Sequence, residues 1–326
     1  MSNDFLPSAS QEVLRLRAEM LGRLRVFFDE RGFLEVETPA LSIDTVIDRH
    51  LDPLVTVIGD DPRTPNHGRQ YFLQTSPEFH MKRLLAAGSG PIYQVTRAYR
   101  NAERGRLHNP EFTIAEWYRP GDDMVAGMQL LSDLAGAMLE RGPAERLSYA
   151  DAFERHAGID PRRADVKELV ACAGAREVAA PAGMSMDDRD AWLDLLLVEL
   201  VEPHLGQQQP TILFDYPTSQ AALAKVRGED PAMAERFELY VQGIELANGY
   251  HELLDADELR RRNAAINLQR LDDGKPALPE ESRLLAAMQH GLPACTGVAL
   301  GFDRLVMLAA GANCVADVIA FPIDRA

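Results

Sequence analysis

Cysteine is scarce in this chain, with Cys172, Cys295 and Cys314 the only three in 326 residues. Their number is odd and no two stand in a C-x-x-C spacing, so the sequence offers neither a disulfide framework nor a zinc signature. They read as buried thiols of a protein in a reducing compartment. Cations are scarce as well: Lys and Arg total 34 against 50 Asp and Glu, a formal charge of −16. That balance opposes a large sequence-independent grip on RNA, which depends on clustered cations releasing counterions from phosphate. It favours a basic or a small partner. No apolar run reaches the length that crosses a bilayer, and the opening MSNDFLPSAS lacks the charged and apolar regions of a signal peptide. The expectation is a cytoplasmic protein with no membrane partner. No internal repeat or low-complexity linker divides the chain.

What is present is 46% hydrophobic content, enough for one large core, and a single domain over residues 1–326 is expected. Leu16, Met20, Leu24 and Phe27 recur at helical spacing, Gly32 stands where that helix would stop, and FLEVETPAL then alternates as a strand does. Tyr71 to Thr75 reads as a strand running into Ser76-Pro77-Glu78, with Ser76 as N-cap, Pro77 as first helical residue and Gly88 as the stop. Met124, Met128, Leu131, Leu134 and Met138 form the core stripe of a further helix. Residues 144–209 are mostly helical in pattern and read as an insertion between sheet strands. After Pro210, ILFDYP and ERFELYVQGIELANGYHEL return to strand-like sequence, with a two-residue turn near Val241 to Gly243. A hairpin there would place Glu238 and Glu245 on one face, opposite or diagonal. Like charges so placed need a cation between them, and magnesium takes carboxylates together with substrate phosphates. Glu252 lies seven residues after Glu245, an odd interval that faces away in a flat strand, although Asn248-Gly249 is a possible bulge.

The densest chemistry lies in RNAERGRLHNPEFTIAEWY, Arg100 to Tyr118, and in GVALGFDR, Gly297 to Arg304. Each holds an arginine at the end of an alternating run. A lone arginine at a strand end is most often a surface ion pair, and either position taken singly reads so. The pair resembles motifs 2 and 3 of the class II aminoacyl-tRNA synthetases, and HNPEFT with IELANGYHEL resembles the lysyl branch. The likeness runs from about Val13 to Ile323. The catalytic pattern starts almost at Met1, where a lysyl enzyme would carry an anticodon-binding barrel, so the nearest resemblance is to the class II ligases that aminoacylate a lysine of elongation factor P.

The resemblance implies an α+β class II catalytic fold, an antiparallel sheet flanked by helices, and a homodimer built on the first helix and strand. It implies ATP and Mg²⁺ as cofactors. Arg100 would bridge the α-phosphate and the substrate carboxylate and Arg304 would hold the γ-phosphate, as the two catalytic residues, a role suited to a guanidinium fork. Asn101, Glu103, Asn109, Phe112 under the adenine, Glu245, Leu246 and Gly301 complete the nucleotide site; Glu238 and Glu245 would hold the metal. Ser76, Pro77 and Glu78 would meet the amine end of the amino acid, Tyr118 and Glu252 its distal ammonium, with Asn248 and Ala299 also lining the pocket. Ala299 replaces a family glycine, an added methyl compatible with a displaced amine. α-Lysine and (R)-β-lysine both remain open. Ala102 replaces the family glutamate expected on the adenine amino group, and the adjacent Glu103 could serve after a small shift. Arg104 and Arg106 make the loop tip basic, for a partner or for solvent.

The implied activity is ATP-dependent activation of a lysine-type amino acid as its adenylate, followed by transfer to the ε-amine of elongation factor P. No Ser-His or Cys-His pair is needed, because the mixed anhydride is itself the activated group. The other readings are an amino acid:AMP ligase with a small-molecule or tRNA acceptor, and a non-catalytic regulatory paralogue. The charge argues against stable tRNA binding.

Overall fold

The computed structural model describes residues 5–228 and 231–326. The chain falls into two compact units, one built from the chain up to Gly121 together with Leu254–Ala326, the other from Asp122–Leu253.

In the first unit, α1 (Gln11–Asp29) is capped by Ser10, whose side chain accepts from the Val13 amide at 3.2 Å, and it ends before Gly32, which takes the left-handed conformation at φ 74°. The predicted strand after it shrinks to β1 (Leu34–Glu35), and β2 is equally short (Leu41–Ser42). β3 (Val55–Gly59) and β4 (Gly68–Leu73) follow, and β2, β4 and β3 form a small antiparallel sheet in that order. α2 (Glu78–Ala86) has Pro77 rather than Ser76 at its cap; Ser76 Oγ instead accepts from the Glu78 amide at 3.3 Å. Gly88, at φ 88°, ends it as expected. β5 (Ile92–Tyr99) and β6 (Glu111–Pro120) are antiparallel, with Ile92 opposite Tyr118 and Tyr99 opposite Glu111. α1 covers one face of this pair: Phe28 stacks on Tyr93 with centroids 4.6 Å apart and lies 5.2 Å from Trp117. The other face carries Ile114, Glu116 and Tyr118, all three buried.

The second unit opens with α3 (Met124–Leu139), capped by Asp123, and all five residues of its predicted stripe are buried. Each such side chain adds about 1.5–3 kcal/mol, so this face alone commits the helix to the core. β7 (Glu145–Ser148) then opens the stretch that the sequence reads as helical, because Leu147 fills a strand position at its edge. α4 (Tyr149–His156), α5 (Val166–Ala175) and α6 (Arg189–Leu196) do form there. β8 (Thr211–Pro217) and β9 (Val226–Arg227) lead to β10 (Met233–Val241) and β11 (Ile244–His251). The strand order is β11, β10, β8, β7, with β9 also on β10.

The chain returns to the first unit with α7 (Ala256–Asp272), α8 (Arg283–Gly291), β12 (Cys295–Gly301) and α9 (Phe302–Ala309). β12 pairs antiparallel with β6, completing the order β1, β5, β6, β12. The architecture is α+β as expected, but the sheet is mixed: β1 runs parallel to β5, and β7 parallel to β8. Both exceptions are edge strands reached by long connections, which alternation alone does not orient. Of the cysteines only Cys295 is buried; Cys172 and Cys314 are half-buried. No helix among the described residues is long and apolar enough to cross a membrane.

Candidate active site

The first unit gathers the arginines. Arg100 follows β5, its amide donating to Pro110 O at 2.9 Å, and its guanidinium lies 4.9 Å from the Phe112 ring centroid, a cation–π contact. Nη1 is 3.7 Å from Glu103. The Nε–H is buried and bonds nothing among the described residues. A buried donor left in that state costs about 1–3 kcal/mol, and an anion reaching it would remove the cost.

Arg304 is set by its neighbour. Asp303, in the first turn of α9, accepts from the Thr113 amide at 2.9 Å and pairs with Arg17 at 2.6 Å, while Arg17 also donates to Thr113 Oγ1 at 2.7 Å. α1, β6 and α9 are thereby joined at one point. From there Arg304 Nε reaches Leu107 O at 3.2 Å and Nη2 reaches His108 Nε2 at 2.8 Å. The His108 pKa falls to about 4, because the protein strips water from one edge of the ring and because Arg304 and Arg100 oppose a further positive charge. The neutral ring can accept from Arg304. Sequence reading passed over His108, although it is part of HNPEFT.

The loop from Asn101 to His108 is tied down. Asn101 donates its amide to Asp52 O at 2.7 Å, Arg104 pairs with Asp324 at 3.1 Å, and Arg106 O accepts from the Val315 amide at 2.9 Å. Both basic residues at the tip therefore meet the chain's own C-terminal segment. Asn109 is buried, donating to Glu111 O at 2.6 Å and accepting from the Ile323 amide at 3.0 Å. Ala102 is held at φ 62°, a left-handed conformation in the turn.

On the face of β6 turned away from α1, Tyr118 donates to Glu116 Oε1 at 2.7 Å; both are buried. The residues opposite on β12 are small, Gly297 facing Tyr118, Ala299 facing Glu116 and Gly301 facing Ile114. Cross-strand partners share a face, so the Ala299 methyl lies on the face of the Glu116 carboxylate. Glu78, at the start of α2, is buried beside Lys82, with Oε1 2.5 Å from Nζ. Lys82 was not foreseen, although the i,i+4 spacing of Glu78 and Lys82 is a readable signal.

The second unit carries the remaining candidates. The turn falls at Gln242-Gly243, both at positive φ, 54° and 72°, the conformation of a two-residue I′ hairpin. Glu238 faces Asn248, Tyr240 faces Glu245, and the register shifts between them. Glu238 and Glu245 are therefore diagonal on one face, and Leu246, buried, stands at the bulge. The extra residue resets the alternation, so Asn248 and Tyr250 return to the face of Glu245; Glu252, buried and bridged to Ala224 just past β11, continues that parity. The bulge lies upstream of the predicted Asn248-Gly249. Asn248 donates to the Tyr250 hydroxyl at 2.9 Å, and its Oδ1 is buried with no bond among the described residues.

Glu238 is enclosed by groups that sequence reading missed: Arg236 Nη2 at 2.5 Å from Oε1, and the Tyr216 and Tyr240 hydroxyls at 2.5 and 2.6 Å from Oε2. Burial, and after it the Glu238 charge, drives both tyrosine pKa values well above 10, so both hydroxyls stay donors. Three bonds leave one of about four carboxylate lone-pair positions. Among the described residues no cluster of three or more His, Cys, Asp or Glu could hold a metal unaided. Two diagonal carboxylates with one lone pair still open on Glu238 fit a magnesium that draws its other ligands from phosphate and water.

A model of the family tRNA synthetases class II (D, K and N) matches residues 3–325. The chain is 51% identical over 323 residues to the elongation factor P--(R)-beta-lysine ligase of Salmonella arizonae, covering 98% of each. It is 51% identical over 328 residues to the ligase of that name from Salmonella paratyphi B, again over 98% of both.

Proposed function

Because this chain belongs to the tRNA synthetase class II family (D, K and N), we propose that it is an ATP-dependent ligase that aminoacylates elongation factor P with (R)-β-lysine. The amino acid carboxylate attacks the α-phosphorus of ATP; the bond to the bridging oxygen breaks and pyrophosphate leaves. A deprotonated lysine ε-amine of elongation factor P then attacks the acyl carbon, forming an amide and releasing AMP and a proton. The name carried by the relatives at 51% identity supports the acceptor and the amino acid.

The observation that carries the first step is the buried, unsatisfied Nε–H of Arg100. A guanidinium with an idle buried donor is preorganised for an oxyanion, and such a contact strengthens as charge builds on the phosphate. Magnesium, bound with the nucleotide, would neutralise phosphate charge, with Glu238 and Glu245 its protein ligands. Arg304 holds the far phosphate, exchanging its bonds to Leu107 and His108 for it. Phe112 presents a ring to the adenine, and Asn101, Glu103, Asn109, Leu246 and Gly301 take the remaining nucleotide contacts. Glu78, with Ser76 and Pro77, receives the amine nearest the carboxyl; Tyr118 and Glu252 receive the distal ammonium; Asn248 and Ala299 shape the pocket. The working form is a cytoplasmic homodimer, in line with the family's use of the first helix.

Amino-acid-dependent exchange of pyrophosphate into ATP, with no macromolecule added, tests adenylate formation. Exchange that depends on a lysine-type diamino acid is expected. Its absence with every amino acid, in protein shown to be folded, would leave only a non-catalytic role.

A further inference from the structure

The first unit holds a buried cation that the proposed chemistry leaves idle. Lys82 lies one helical turn after Glu78 on α2, with Nζ 2.5 Å from Glu78 Oε1. An i,i+4 pair on a helix surface is ordinary and worth little, but here Lys82 is 1% exposed and Glu78 8%. The same ammonium stands 6.0 Å from the Tyr118 ring centroid, and Tyr118 gives its hydroxyl proton to the buried Glu116. Lys82 is therefore anchored among the groups that line the amino acid face, and its position is as constrained as theirs.

Glu78 has two oxygens, and Lys82 takes one. No group among the described residues bonds Oε2, while the Glu78 amide is used by Ser76. We propose that Lys82 is a positioning residue that determines specificity: by holding Glu78 Oε1 it leaves Oε2 alone for the substrate amine, and so sets which backbone carbon must carry that amine. The proposal rests on the reading of Glu78 as the amine's partner and deepens it. Two ammonium groups about 4 Å apart repel by roughly 4 kcal/mol at an effective dielectric constant near 20. A substrate amine that approaches from the Oε1 side meets that repulsion; one that approaches Oε2 from the far side does not. Moving the amine from the 2- to the 3-position of the amino acid shifts it by about one C–C bond, ~1.5 Å, enough to change which side it presents.

The test is amino-acid-dependent pyrophosphate exchange with α-lysine and with (R)-β-lysine, reading the ratio of their kcat/KM values. In Lys82→Met, and in Lys82→Gln, which removes the charge but leaves a polar side chain should the methionine variant fail to fold, the ratio of the (R)-β-lysine value to the α-lysine value should fall at least tenfold. The change should lie in the KM for the amino acid, with the KM for ATP unmoved. Lys82→Arg, which retains the charge, should restore most of the ratio. A wild-type ratio in Lys82→Gln overturns this proposal alone, even if the melting temperature falls. A wild-type protein that activates neither diamino acid overturns the reading beneath it and the proposal with it.

Discussion

Arg304 Nη2 and His108 Nε2 lie 2.8 Å apart, so the guanidinium assigned to phosphate is held by a neutral imidazole until ligand arrives. The folded pKa of His108, about 4, lies below its ordinary 6.5. In acid the unfolded chain takes up this proton first, so the stabilising contribution is complete above 6.5 and is lost as pH falls towards 4. The stability gap between wild type and His108→Gln should narrow across that interval in urea unfolding at a series of pH values. A gap that stays constant or widens on acidification contradicts the assignment.

Arg100→Ala and Arg304→Ala should each remove about 2–4 kcal/mol of transition-state stabilisation, roughly one and a half to three decades in exchange rate. Arg100→Ala should leave the melting temperature nearly unchanged, because removing the unsatisfied Nε–H offsets the loss of the contacts with Phe112 and Glu103. Arg304→Ala frees Leu107 O and His108, and should loosen protease protection of the 101–108 loop. Normal exchange in either variant would remove that arginine from the site.

Ala102 holds a left-handed backbone at φ 62°, which costs a residue with a Cβ about 1 kcal/mol that glycine avoids. Ala102→Gly should therefore stabilise the fold by roughly 0.5–1 kcal/mol. Ala102→Glu should tighten ATP by about 1 kcal/mol, some fivefold, if one adenine hydrogen bond is recovered. Glu103 is engaged with Arg100 at 3.7 Å, which argues that it does not already make that bond. Isothermal titration with ATP separates the two outcomes.

Arg236 is a buried protein cation held to Glu238, one of the two glutamates proposed for magnesium, with Nη2 2.5 Å from Oε1. Arg236→Met would strand Glu238 beside two tyrosine hydroxyls in a buried site and should cost about 3–5 kcal/mol in chemical unfolding. A loss below about 1 kcal/mol would mean that Glu238 is solvated in solution.

These residues also mark how far the sequence could be read. Arg100, Arg304 and the Gln242-Gly243 turn were legible because each depends on local pattern: a strand end, a motif, a pair of turn residues. The α3 stripe was legible because its period is that of the helix itself. The bulge at Leu246 was not, since an inserted residue leaves no trace in composition and changes only the parity of the residues after it; the direction of Glu252 depended on it. Lys82, Arg236 and Tyr216 were missed for another reason. Residue type and spacing were visible at all three, but burial is a property of the packed molecule, and it is burial that turns an ordinary i,i+4 pair or a strand arginine into a constraint. The parallel edges of the sheet were equally hidden, because alternation shows which side a residue faces and not which way its strand runs.

The central claim is that an activated aminoacyl group passes to a protein lysine. The most direct measurement is the intact mass of elongation factor P after incubation with this protein, ATP, Mg²⁺ and (R)-β-lysine. A mass increase of one aminoacyl unit, absent without ATP and slowed by roughly one and a half to three decades with Arg100→Ala, is predicted. Unmodified elongation factor P, with efficient charging of lysine tRNA in a parallel reaction, would contradict the account and identify a minimal synthetase instead.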